Sequence, residues 1–228
     1  MPDTAPDSHS RGPKRSFWTR NALSIVLLAL FFASLAGQIV SGRTVLNEER
    51  REEGQPALSW GAYLGSGQFI SATFENWESE FLQMGLYVLL TVTLRQRGSA
   101  ESRPYPGEEP PPRVDPGPRP AWAAAGGWRR TLYGHSLSTV LLLLFVIAFA
   151  LHWWGSWRHQ ADEALTKGQA PPGLLEYLGD AQFWFESLQN WQSEFLSVFA
   201  LVVLSIFLRQ KDSSQSKHID APHSQTGD

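Results

Sequence analysis

The stretch NWESEFL at residues 76–82 returns as NWQSEFL at residues 190–196, and each copy runs straight into apolar residues. A carboxylate therefore stands twice at the lip of a hydrophobic segment of 14 residues, 81–94 and 195–208. At about 1.5 Å per helical residue, such a segment covers only some 21 Å of a hydrocarbon core roughly 30 Å thick. Either these segments are re-entrant or buried, or each helix starts earlier and carries polar residues into the membrane.

Working outward, a shift of 114 residues lays positions 22–96 over 136–210 without a gap, with 27 identities in 75 pairs. Self-similarity of that kind marks an internal duplication. Each copy has an apolar run of 18 residues (23–40 and 137–154), a Gly-Gln turn (Gly54-Gln55 and Gly168-Gln169) and a Tyr-Leu pair (Tyr63-Leu64 and Tyr177-Leu178). The Asn-Trp motif follows, then the short apolar run and a basic stop at Arg95-Gln96-Arg97 or Arg209-Gln210-Lys211. The 18-residue runs are long enough to span. The expected fold is an all-α membrane protein of four transmembrane helices, arranged as two tandemly duplicated helical hairpins with pseudo-two-fold symmetry. The expected divisions are a basic cytoplasmic tail (1–20), hairpin repeat 1 (21–96), a Pro-rich flexible linker (97–129), hairpin repeat 2 (130–211) and a disordered C-terminal tail (212–228).

Composition agrees with a chain of two characters. With 43% hydrophobic residues, ten Trp and thirteen Phe, a wholly disordered protein is excluded, while the linker segment YPGEEPPPRVDPGPRP has too little apolar content to build a core. The absence of cysteine excludes disulfides, thiolate nucleophiles and cysteine-ligated metals. A net charge of -3 becomes informative only by region. If all four runs span, the termini and linker share one side and hold 14 of the 19 Lys and Arg, and the two connecting loops hold the other 5. The positive-inside rule then puts the termini and linker in the cytoplasm, with the protein in the inner membrane. A cleaved signal peptide at the first run is rejected, because the matching run in copy two lies in mid-chain.

A span that ends at Arg95 and needs about 20 residues starts near Asn76, so Glu80 lies inside it, about 22 Å from the basic end. Trp77 and Trp191 then fall in an aromatic belt with Trp153, Trp154 and Trp157, while Arg95 and Arg209 anchor the opposite ends. On a helical wheel, Asn76, Glu80, Gln83, Tyr87 and Thr91 form one polar stripe, repeated in copy two as Asn190, Glu194, Ser197 and Ser205. Facing carboxylates at Glu80 and Glu194 would make a proton relay or cation site. The bland alternative is that the stripe only bonds helix to helix, at about 0.6 kcal/mol per interaction, with each Glu favoured by a helix N-terminus at the outer interface.

Other features point to solvated surface. Residues 47–54, NEERREEG, read as a short exposed helix stopped at Gly54. Residues 59–74 and 173–188 read as aromatic, weakly amphipathic stretches that lie on the outer membrane surface or cap the bundle. The six histidines show no ligand spacing and none is shared between copies, so no metal site is expected. No phosphate loop, nucleophile elbow or dinucleotide fingerprint is present.

The repeated NWxSEFL with LRQ, together with LNEE, GAYL and APHSQTG, resembles a bacterial family of small integral membrane proteins catalogued as domain of unknown function family 6766. The resemblance implies a bacterial membrane protein and carries no activity. The expected function is therefore a non-enzymatic membrane-organising or stress-related role, the alternative being a small ion, proton or solute conduit using Glu80 and Glu194. No cofactor is expected. The expected partner is the lipid bilayer, with a homo-oligomer open and no nucleic acid.

Overall fold

A computed structural model describes residues 16–112 and 114–227. Among these residues the chain is helical, with no strand. In order it forms α1 (Phe17–Arg20), α2 (Ala22–Glu52), α3 (Trp60–Leu64), α4 (Gly67–Thr93), α5 (Ala121–Ala125), α6 (Gly127–Gly134), α7 (Ser136–Thr166), a 3₁₀ turn at Glu176–Gly179, and α8 (Ala181–Phe207). The basic residues Lys14 and Arg15, at the head of the first apolar run, lie outside the described residues. Three helices, α2, α7 and α8, are long and apolar enough to cross a membrane. The fourth long helix, α4, has 27 residues but carries Glu75, Glu78 and Glu80 in its middle.

The chain divides into two compact units, Met1–Leu64 and Gly65–Asp228. In the first unit, α2 is an almost unburied apolar rod whose only buried residue is Leu46. It ends at Gly54, whose φ of 74° suits glycine, with Gln55 N–H closing back on the Arg50 carbonyl, a helix stop that satisfies the last free carbonyls. The returning segment is held by Asn47, which bonds the backbone N–H of Leu58 at 2.7 Å. The Arg43 guanidinium donates to the Leu58 carbonyl and lies 4.4 Å over the Trp60 ring.

In the second unit, α4 runs antiparallel to α7 and parallel to α8. Glycines set the α4–α7 distance. A Cβ at Gly67 would stand 2.6 Å from the Gly155 carbonyl oxygen, one at Gly155 would stand 2.5 Å from the Ser71 nitrogen, and one at Gly85 would stand 3.0 Å from Leu142. Small residues permit this backbone approach, the device that packs helices where lipid supplies no hydrophobic drive. Between α4 and α8 the contact is polar: the Gln83 amide donates to the Glu194 carbonyl at 3.0 Å and to Ser197 Oγ at 3.1 Å.

Indole donors pin the loop between α7 and α8. Trp153 Nε1 donates to the Leu174 carbonyl, Trp157 Nε1 to Pro172 and Trp184 Nε1 to Leu178. Tyr177, only 1% exposed, plugs the centre beside Phe183.

The ends of α4 and α8 close in the same way. Arg95 donates to the carbonyls of Thr91, Val92 and Leu94, and Arg209 to those of Ser205, Ile206 and Leu208. The turn beyond each helix needs a left-handed residue, filled by Gly98 at φ 84° and by Asp212 at φ 63°. Residues at the start of the linker and in the C-terminal tail are drawn together there. Ser99 Oγ lies 2.9 Å from Ser205 Oγ, and the buried Lys217 ammonium donates to the carbonyls of Gly98, Pro222, His223 and Gln225.

Candidate functional site

The polar centre of the second unit lies between α4, α7 and α8. α4 contributes Glu75 and Glu78, almost one turn apart; α7 contributes His152 and Ser156, one turn apart; α8 contributes Glu186, Asn190 and Trp191. The His152 and Glu78 side chains are both 0% exposed and meet at 2.8 Å, Nδ1 to Oε2. The other Glu78 oxygen accepts the Trp191 indole N–H at 2.9 Å. On the far side of the ring, His152 Nε2 lies 3.2 Å from Glu186 Oε2 and 3.9 Å from Glu75 Oε2.

Amides fix the remaining oxygens. Asn190 Nδ2 donates to Glu75 Oε1 at 2.9 Å, and Gln182 Nε2 to Glu186 Oε1 at 3.0 Å. Ser156 Oγ donates to Glu186 Oε2 at 2.7 Å and stands 2.8 Å from the Tyr177 hydroxyl. Burial pushes that hydroxyl up to about 12, the nearby Glu186 charge adding to the shift and the Ser156 bond opposing it. It therefore stays protonated and donates to Ser156, whose own proton is committed to Glu186.

Aromatic rings jacket the cluster. Phe183 stands 5.0 Å from the His152 ring and Phe149 5.5 Å from Phe183, while Trp191 packs against Phe145 and Trp184. Charges held in such apolar surroundings interact far more strongly than in water, and leaving them unbalanced is costly. Three carboxylates surround a single imidazole, so the cluster favours a further positive charge. A surface cavity of about 330 Å³ reaches Glu186, Ser156 and Tyr177, with His159, Gln160, Glu163 and Gln182 completing its wall.

The family profile described as "Domain of unknown function (DUF6766)" covers residues 14–228. The chain belongs to the DUF6766 family. No curated protein and no solved structure matches it.

In this DUF6766 member the residues singled out from sequence fall in different places. Glu80 is exposed and Glu194 half-buried, and the two carboxylates are close enough for their charges to interact. Glu80 lies more than three turns into α4, so no helix N-terminus stabilises it and the dipole explanation does not apply. Gln83 and Ser197 pair across the α4–α8 seam, whereas Asn76 and Thr91 bond the backbone of their own helix. Tyr87 reaches Glu101 just beyond α4, and Ser205 meets Ser99. Among the aromatic anchors, Trp77 meets Phe74 edge to face and Trp154 is exposed beneath Arg158, while Trp153 holds the α7–α8 loop and Trp191 holds Glu78. Arg95 and Arg209 cap helix ends through backbone carbonyls.

Of the predicted stripe only Asn190 belongs to the buried cluster. Sequence reasoning missed Glu75, Glu78, His152, Ser156 and Glu186. It searched for what the copies share, and these residues are what they do not share. A shift of 114 pairs Glu75 with Gln189, Glu78 with Gln192, His152 with Gln38, Ser156 with Gly42 and Glu186 with Ala72. The signal that could have found them is His152 itself, a histidine within a run otherwise apolar enough to cross a membrane.

Proposed function

We propose that the chain is a multi-pass membrane protein of the bacterial inner membrane, built as two tandem hairpins with four spans, which holds or passes a cation at the cluster between α4, α7 and α8. Helix boundaries support the duplication: α7 begins and ends 114 residues after α2, and α8 does the same relative to α4. The apolar, unburied surface of α2 suits a lipid bilayer. Two of the three carboxylates of α4, Glu75 and Glu78, find their partners on α7 and α8, which lets a helix too polar to face lipid on every side cross inside a bundle.

The observation that carries the functional reading is the fully buried pair His152 and Glu78 with Glu75 and Glu186 alongside. Ionisable groups inside apolar helices are expensive and mark ion or substrate pathways. This moves the conduit reading from Glu80 and Glu194 to a cluster that begins two residues from Glu80, and the role proposed for it is non-enzymatic. The test is cation flux into liposomes holding the purified chain. Wild type should conduct, and Glu78→Gln and His152→Ala should each lower flux at least tenfold. Proteoliposomes that pass no cation under any gradient would remove the conduit and leave the membrane-organising role.

A further inference from the structure

The geometry points to a binding site for one divalent transition-metal ion, ligated by Glu75, His152 and Glu186, with Glu78 as the residue that orients the imidazole. The inference uses the same cluster as the proposed function but does not require transport.

The three ligand atoms lie within 4.8 Å of one another. A Zn²⁺-like ion about 2.1 Å from each would hold them about 3 to 3.6 Å apart. The 3.2 Å from Nε2 to Glu186 is already in that range, and the 3.9 Å from Nε2 to Glu75 closes with a small side-chain rotation. Each carboxylate is prepared for one-oxygen ligation. An amide holds Oε1, from Asn190 for Glu75 and from Gln182 for Glu186, and Oε2 is turned toward the imidazole, that of Glu186 also accepting from Ser156.

The imidazole is oriented from behind by a carboxylate, as such sites need. A ligating histidine donates its other ring N–H to a carboxylate, which fixes the tautomer and aims the free nitrogen at the metal. Glu78 stands in that position, at 2.8 Å from Nδ1, and is itself held by the Trp191 indole. When the imidazole is neutral with its N–H on Nδ1 toward Glu78, the Nε2 lone pair faces two carboxylate oxygens, and three acceptors converge on one point that an ion can take in place of a proton. Only something positive can sit between them. A divalent ion brings the three carboxylates and the neutral imidazole from a net charge of −3 to −1.

Ligand chemistry narrows the ion. Two carboxylates and an imidazole suit Mn²⁺, Fe²⁺ or Zn²⁺. Mg²⁺ and Ca²⁺ prefer oxygen alone, and Cu⁺ prefers the sulfur this cluster lacks. With three protein ligands at least one coordination position stays open, and the cavity that reaches Glu186 and Ser156 gives the ion a way in, past Glu163 and His159 at its wall.

The test is Mn²⁺ titration of the full chain in nanodiscs after chelator treatment, read from loss of the free-ion electron paramagnetic resonance signal. Wild type should take up one ion per chain. Glu75→Gln, Glu186→Gln and His152→Ala should each weaken binding 100-fold or more, Glu78→Gln should weaken it 10- to 100-fold, and Glu108→Gln, on the exposed linker, should change nothing. Because a substitution in a buried cluster can misfold the chain, the Mn²⁺-loaded wild type supplies an independent reading: electron spin-echo modulation should show one coupled imidazole nitrogen. Uptake without that coupling, uptake unchanged in all four cluster variants, or no uptake of Mn²⁺, Fe²⁺ or Zn²⁺ by wild type would each overturn the inference. Stoichiometric binding without flux would uphold it while ending the conduit reading; K⁺ or proton flux with no divalent uptake would do the reverse.

Discussion

At the scale of single residues, the cluster is governed by the difference between removing one member of a buried charged pair and removing both. His152 and Glu78 are each sealed from solvent, so His152→Leu leaves the Glu78 carboxylate in an apolar setting with only the Trp191 indole to bond. Breaking a buried pair in this way costs about 3–5 kcal/mol, whereas replacing both partners with apolar residues of similar size is often close to neutral. The expected result, from denaturant unfolding in detergent micelles, is that His152→Leu alone destabilises more than the double variant His152→Leu/Glu78→Leu. A double variant as unstable as the two single losses combined would mean that the pair is not the coupled unit the geometry describes. The same contrast explains why the site was hidden from the sequence. Glu78 sits inside NWESEFL, but its counterpart in NWQSEFL is Gln192, and aligning the copies directs attention to the shared Glu80, which the structure leaves exposed.

At the scale of the helices, the sequence was legible where a regular pattern carried the information. The apolar runs, the glycine stops at Gly54 and Gly168, and the basic ends at Arg95 and Arg209 follow from hydropathy, backbone freedom and terminal carbonyls, all local properties. The length of α4 was not legible. Residues 67–74 read as part of an interfacial or capping stretch, yet they extend α4 by about two turns, because Ser66 caps the new start and Gly67 and Ser71 let the helix lie directly on Gly155 of α7. That contact is tertiary and leaves no periodic trace in the sequence. It also yields a contrast between two glycines. A methyl at Gly155 meets the backbone of Ser71 at 2.5 Å, while one at Gly37 in α2 meets nothing within 4 Å. Gly155→Ala should therefore destabilise by about 1–3 kcal/mol through overpacking, and Gly37→Ala should be neutral or stabilise by up to about 1 kcal/mol through helix propensity. Thermal unfolding of the two variants in one detergent checks this, and equal shifts would contradict the close approach of α4 and α7.

At the scale of the whole molecule, the proposed orientation follows from an imbalance of basic residues, and it decides from which compartment the cavity beside Glu186 is reached. Fourteen of the 19 Lys and Arg fall in the termini and linker if all four long helices span, which assigns those segments to the cytoplasm. The Gly54 and Gly168 turns then lie outside. The cavity belongs with them, because its wall includes His159 and Glu163 near the end of α7 and Tyr177 in the α7–α8 loop. A cation would enter from the periplasmic side, and the arginines that cap α4 and α8 would close the cytoplasmic ends. Reporter fusions test this without purification. An enzyme active only in the periplasm should be active when fused after Gly54 or after Gly168, and silent when fused within residues 110–120. The opposite pattern would invert the protein and put the cavity on the cytoplasmic face. A silent fusion after Gly54 together with an active one after Gly168 would instead break the tandem-hairpin scheme, since duplicated hairpins must share one direction across the bilayer.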